Sequence, residues 1–251
     1  MGRLISSTPL ESTLRISRGI VPGHIGINKF GGSPSVASNT TEDVWDGQGT
    51  YSFPSTADIT HLSMAADQVA MRGETIEVEG LDADWNLVLQ TKTLNASNTT
   101  TAVALNTALR RVFRMSVLAN VVADQALHAK NVGAGITYAT IVAGNNQTLM
   151  AIYTVPAGKT GFLTNYYADV VRITGADPKG SDFRLWVADR ANGYEFQLKH
   201  AQAASDASHK VVHHFRPYLV VTEKSDIKIT AKPIGAAAEA HAGFDLYLVD
   251  N

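Results

Sequence analysis

From Thr40 onward the chain reads as strands and turns, with short runs in which apolar and polar residues alternate between turn-forming clusters. Residues 74–78 alternate charged and β-branched side chains, the period-2 mark of a half-buried strand. Turn chemistry follows over Gly80-Leu81-Asp82-Ala83-Asp84, and a strand resumes at Trp85-Asn86-Leu87-Val88-Leu89. It extends through residues 91–94 and closes at Asn95-Ala96-Ser97-Asn98. Residues 107–118 fit two patterns. Leu109, Val112, Phe113 and Val117 suit one face of a helix, whereas Val112-Phe113-Arg114-Met115-Ser116-Val117 suits a strand, which the surrounding strands favour. Upstream, Asp46-Gly47-Gln48-Gly49 reads as a turn and Thr50-Tyr51-Ser52-Phe53 as a strand stopped by Pro54.

The second half repeats the pattern with longer strands. Glycines 133, 135 and 144 with Asn145 and Asn146 surround a short strand at residues 137–142 and mark a boundary near 130–146. Residues 149–155 lead into the turn Pro156-Ala157-Gly158-Lys159, and residues 160–173 return. Phe183, Leu185 and Val187 alternate with Arg184, Trp186 and Ala188; beyond Asn192-Gly193, Tyr194, Phe196 and Leu198 alternate with Glu195 and Gln197, which predicts a hairpin. Strands at residues 218–222, 227–230 and 244–249 complete the set, so the last strand should hold the end of the chain in a sheet. Many short strands without helix–strand alternation predict an all-β fold of tandem β-sandwich, jelly-roll-like domains. The expected division is residues 41–135 and 146–251, preceded by an extended N-terminal arm over 1–40.

The arm is read from composition. Gly19, Pro22, Gly23, Gly26, Gly31, Gly32 and Pro34 break regular structure, and isolated apolar residues such as Leu10, Ile16, Ile25 and Phe30 stud the stretch. Arg3, Arg15, Arg18 and Lys29 are opposed only by Glu11, so the arm is basic. It cannot bury its apolar residues alone and must pack on its own body or on a partner; Arg3, Arg15, Arg18, Lys29 and Phe30 are the expected partner contacts.

Composition narrows the function classes. The 251 residues include 21 basic and 23 acidic side chains, a net charge of −2, which argues against broad electrostatic binding of nucleic acid. The absence of cysteine excludes disulfides and thiolate metal sites. Only 18% of residues are charged, below the roughly 25% of an average domain, as befits faces covered by neighbours. The N-terminal sequence lacks a signal-peptide apolar stretch and no run is long enough to span a bilayer, so the expected product is made and kept in the cytoplasm unless released by lysis.

Candidate chemistry is sparse. Gly158-Lys159-Thr160 lacks the earlier glycine of a phosphate loop, since position 153 is Tyr, and reads as a turn with Lys159 facing water. Asp82, Asp84 and Asn86 mimic the start of a calcium loop, but Leu87 and Thr93 occupy positions that require Gly and Glu. His200, His209, His213 and His214 form the most suggestive cluster; in a strand His209 and His213 share a face yet lie too far apart to chelate one ion. Asp169, Asp177, Asp182 and Asp189 show no spacing that pairs them for hydrolysis. Trp45, Trp85, Trp186, Tyr166 and Tyr167 could stack on sugars, but such aromatics more often fill a sandwich core or interface. No catalytic, cofactor or metal site is expected.

Several segments resemble structural proteins of tailed-bacteriophage virions. They are Ile25-Gly26-Ile27-Asn28-Lys29-Phe30-Gly31, Glu42-Asp43-Val44-Trp45-Asp46-Gly47-Gln48-Gly49-Thr50-Tyr51, residues 144–160, Ala191-Asn192-Gly193-Tyr194-Glu195-Phe196-Gln197-Leu198-Lys199 and His241-Ala242-Gly243-Phe244-Asp245. The resemblance implies a virion location and carries no catalytic residues. It implies a head decoration (cement) or neck-associated protein, not an enzyme, packing on major capsid or neck and portal proteins as a homo-oligomer, with a trimer expected. The alternatives are a tail-side adhesin that binds host glycan and a β-sandwich glycan hydrolase.

Overall fold

The structure, a computed structural model, describes residues 9–173, 175, 177–205, 208 and 210–251. The described chain is all-β apart from helix α1 (Pro9–Ser17) and one 3-10 turn (Val69–Met71). Its strands are β1 (His24–Val36), β2 (Glu42–Asp43), β3 (Ile59–Met64), β4 (Thr75–Leu81), β5 (Leu87–Thr93), β6 (Val103–Leu109), β7 (Arg111–Val117) and β8 (Leu127–Asn131). They continue as β9 (Ile136–Ile141), β10 (Ile152–Thr154), β11 (Lys159–Arg172), β12 (Gly180–Asp189), β13 (Gln197–Ser205), β14 (Lys210–Val221), β15 (Ser225–Ile234) and β16 (Ala238–Asp250).

These strands form several antiparallel sheets. One runs β1-β16-β11-β14; a second runs β10-β15-β12-β13, with β2 also on β15. Alternation builds the core between them: Ala238, Ala240, Ala242, Phe244, Leu246 and Leu248 of β16 are buried against Phe183 and Leu185 of β12 and Ile227 and Ile229 of β15. Between β2 and β10 the chain forms a separate unit of two smaller sheets, β6-β3-β8-β9 and β5-β4-β7. Leu62, Ile76, Val78, Leu109, Met115 and Ile141 lie in its own core.

The expected arm does not hold for residues 24–36. They form a 13-residue edge strand that pairs with β16 from His24↔Val249 to Val36↔Ala238. Gly31, read as a breaker, is what lets β1 approach its neighbours. A Cβ on Gly31 would lie 2.2 Å from the Ala151 nitrogen and 2.5 Å from the Val44 oxygen. The sheets expected from residues 146–251 alone are therefore completed by β1 and β2, whereas β3–β9 pair into sheets only with one another. Residues 50–53 also depart from expectation: they join no sheet, and the Tyr51 nitrogen donates instead to Asp43 Oδ2 at 2.7 Å. The predicted hairpin exists, but its second strand begins at Gln197, so Tyr194 and Phe196 precede it.

Candidate interaction surface

The five expected partner contacts do not share one face. Arg3 lies outside the described residues. Arg15, on α1, and Arg18, just beyond it, are exposed. Lys29 is buried, and its ammonium donates to the Phe113 carbonyl oxygen, so it cannot be a surface contact. Burial and the Arg114 charge, opposed by Glu79, bring the Lys29 pKa down to about 7. Phe30 is half-buried under the Arg114 guanidinium, 5.7 Å from its ring centroid.

Asp46 shows the opposite shift. Its carboxylate accepts from the Leu149 nitrogen at 2.8 Å, yet burial outweighs this hydrogen bond and the nearby His241, raising its pKa to about 7. A raised acid binds its proton more tightly when folded, so its stabilising contribution is present below about 3.8 and is lost as pH rises through about 7. The lowered Lys29 contributes stability above 10.5 that is lost as pH falls through about 7. Asp46→Asn should therefore gain about 2 kcal/mol at pH 8 and almost nothing at pH 4. Urea unfolding at the two pH values checks this; equal gains at both would show that Asp46 is not a buried charge.

The other nominated groups serve structural ends. Asp82 Oδ1 accepts from the Asp84 and Asn86 nitrogens, both at 2.9 Å, so this triplet caps its own turn. Gly158 adopts φ +71 as the turn requires, but Lys159 pairs with Asp250 rather than simply facing water. Asp169 hydrogen-bonds His241, Asp177 pairs with Lys179, Asp182 with Arg184, and Asp189 holds Asn192. Trp45 and Tyr166 are buried, and Trp85 lies under Arg110, 4.5 Å from its ring centroid. Of the histidines, His209 lies outside the described residues. His200 and His213 stack with ring centroids 3.7 Å apart, and the Tyr166 hydroxyl meets His200 Nδ1 at 2.9 Å. Burial, then the His213 charge, holds the His200 pKa down. His214 is exposed. Among the described residues no three His, Asp or Glu side chains converge as a metal site.

Sequence reasoning passed over the strongest polar feature, which joins the two units. Arg111 of β7 forms a two-pronged ion pair with Asp226 of β15, Nε–Oδ1 at 2.9 Å and Nη2–Oδ2 at 3.0 Å. Thr154 Oγ1 adds a 2.6 Å hydrogen bond to Oδ1, and Arg190 Nε a 2.9 Å contact to Oδ2. Arg111 Nη1 donates to the Pro54 and Arg110 carbonyls. Trp85, tied by its carbonyl to the Ala157 nitrogen at 3.0 Å, holds φ +69, a conformation bulky residues rarely adopt.

A surface lies at the far side of the larger sheets. There β13 and β14 end their sheets as neighbouring edge strands. They contain 9 and 12 residues, of which only Ala204 and Val221 are buried. Leu198, Val212, Tyr218 and Val220 are each about half exposed, at 46%, 47%, 51% and 57%. Neither strand contains Asp or Glu, whereas Lys199, Lys210 and Arg216 are present with His200, His213 and His214. One signal was legible: between Glu195 and Glu223 the sequence has a single acid, Asp206, which lies outside the described residues. No family model matches the chain, and no curated protein matches it significantly. No helix among the described residues is long and apolar enough to cross a membrane.

Proposed function

We propose that the chain is a structural component of a tailed-phage virion, a head decoration or neck-associated protein that packs as a homo-oligomer, a trimer, on other virion proteins. The supporting observation is the strand order. The order β1-β16-β11-β14 facing β10-β15-β12-β13 matches an eight-stranded jelly roll in which β2 and β10 share one strand position. Viral capsid domains use this architecture. In this reading β3–β9 are a second sandwich inserted into the jelly roll, so the tandem arrangement is nested.

A jelly roll also serves lectins, but glycan binding has less support. Sugar stacking needs open aromatic faces, whereas Trp45 and Tyr166 are buried, Trp85 is covered by Arg110, and Trp186 and Tyr167 are half-buried. Hydrolysis has less still, because each nominated carboxylate is engaged in its own local ion pair or hydrogen bond. The test is whether the chain remains with density-gradient-purified particles after a high-salt wash. Retention supports the virion reading; recovery only in the unassembled fraction contradicts it.

A further inference from the structure

The two edge sides of the larger sheets are treated differently. On one side the inserted unit abuts β1 and β10: the Phe113 and Tyr153 rings meet with centroids 4.2 Å apart, Lys29 donates to the Phe113 carbonyl, and Arg111 is locked to Asp226. On the other, no strand among the described residues pairs with the outer edges of β13 and β14. An uncovered edge exposes a row of backbone donors and acceptors, which proteins usually blunt with proline, charge or irregularity. Edge β14 is blunted: its register against β11 jumps between Leu219 and His214, with Pro217 in the gap. Edge β13 is not. After one irregularity near Lys199 it pairs regularly with β12 from His200 to Ser205, and Ala201, Ala203 and Ser205 are small and exposed.

Charge decides what such an edge accepts. The His200–His213 stack places Lys199 near the Arg216 end of β14, and the Ser205–Ser208 bridge places Lys210 at the opposite end. Basic side chains thus bracket the regular stretch. Two acids beside these strands are engaged: Asp169, across the ladder from Lys210, hydrogen-bonds His241, and Asp182, across from Ala203, pairs with Arg184, while Glu195, which precedes β13, lies 3.6 Å from Arg190. A second copy adding its own β13 would bring like charges together. Nucleic acid would not use the unpaired peptide groups of a flat, alanine-rich edge. The geometry points to an extended, acidic segment of another virion protein that adds as a strand along β13, its carboxylates set against Lys199, Lys210 and Arg216. This inference rests on the virion reading.

Zero-length carbodiimide cross-linking of intact purified particles tests it, because that reagent joins an amine to a carboxylate only in direct contact. The expected products join Lys199 and Lys210 to Asp or Glu of a different protein. A companion variant carries Lys199→Glu, Lys210→Glu and Arg216→Glu, and its copy number per particle should fall about tenfold while its melting temperature stays near that of the parent. Links confined to this chain, links to a second copy, or no links at either lysine overturn the inference while leaving the virion reading intact. Complete absence of the chain from particles is a separate outcome and overturns both. If the variant fails to fold, the cross-links of the unmodified chain still decide.

Discussion

Asp226→Ala should lower the unfolding free energy by about 3–5 kcal/mol, because it leaves the Arg111 guanidinium buried without a counter-ion. Arg111 is 3% exposed and Asp226 0%, so water cannot replace the lost carboxylate. The same substitution strands the Thr154 hydroxyl and the Arg190 Nε–H, each of which donates to Asp226. The damage should reach beyond β15, since Arg111 also ties β7 to the carbonyl of Pro54. Removing both charges tests the origin of the effect. An Arg111→Met/Asp226→Leu double variant should recover part of the loss, because the buried unpaired guanidinium is gone while Thr154 and Arg190 still lack their acceptor. Urea unfolding followed by circular dichroism reads both. A loss below about 1 kcal/mol in the single variant would place this pair among weak surface contacts instead.

Gly31→Ala should cost about 3 kcal/mol, at the upper end of what overpacking usually produces. The added methyl would fall on the hydrogen bond between the Ala151 nitrogen and the Val44 oxygen, 3.0 Å long and directly beneath β1. Neither atom belongs to a flexible side chain, so the strand itself must shift. A useful contrast is Gly135→Ala, where φ is +67 but nothing lies within 4 Å of the new methyl. That variant meets only backbone strain of about 1 kcal/mol. Thermal unfolding of the two side by side separates crowding from conformation; equal losses would mean that β1 does not press on the segment beneath it.

Gly31 also shows what a linear reading misses. Strands such as β4, β12 and β16 were legible, because one face is buried and alternation records it. β1 was not, since its glycines signal breaks locally while serving close approach to residues 44 and 151, far away in sequence. Lys29 misled for the same reason: it counted as one basic residue of an arm, and only the pairing of β1 shows it to be buried. The Arg111–Asp226 pair joins residues 115 apart and has no local signature. The basic run over β13 and β14 was present in the composition, but its meaning depends on both strands ending their sheets on the side away from the inserted unit. The histidines were legible only as a cluster, since the stacking of His200 on His213 depends on β13 lying beside β14.

Copy number decides most directly whether the chain is part of a virion. Quantitative mass spectrometry of purified particles, scaled to the major shell protein, should find the chain at a fixed stoichiometry that is a multiple of three, as trimeric packing requires. Hundreds of copies would place it on the shell, and on the order of a dozen at the neck. Particles that are infectious and complete yet lack the chain would contradict the structural reading outright.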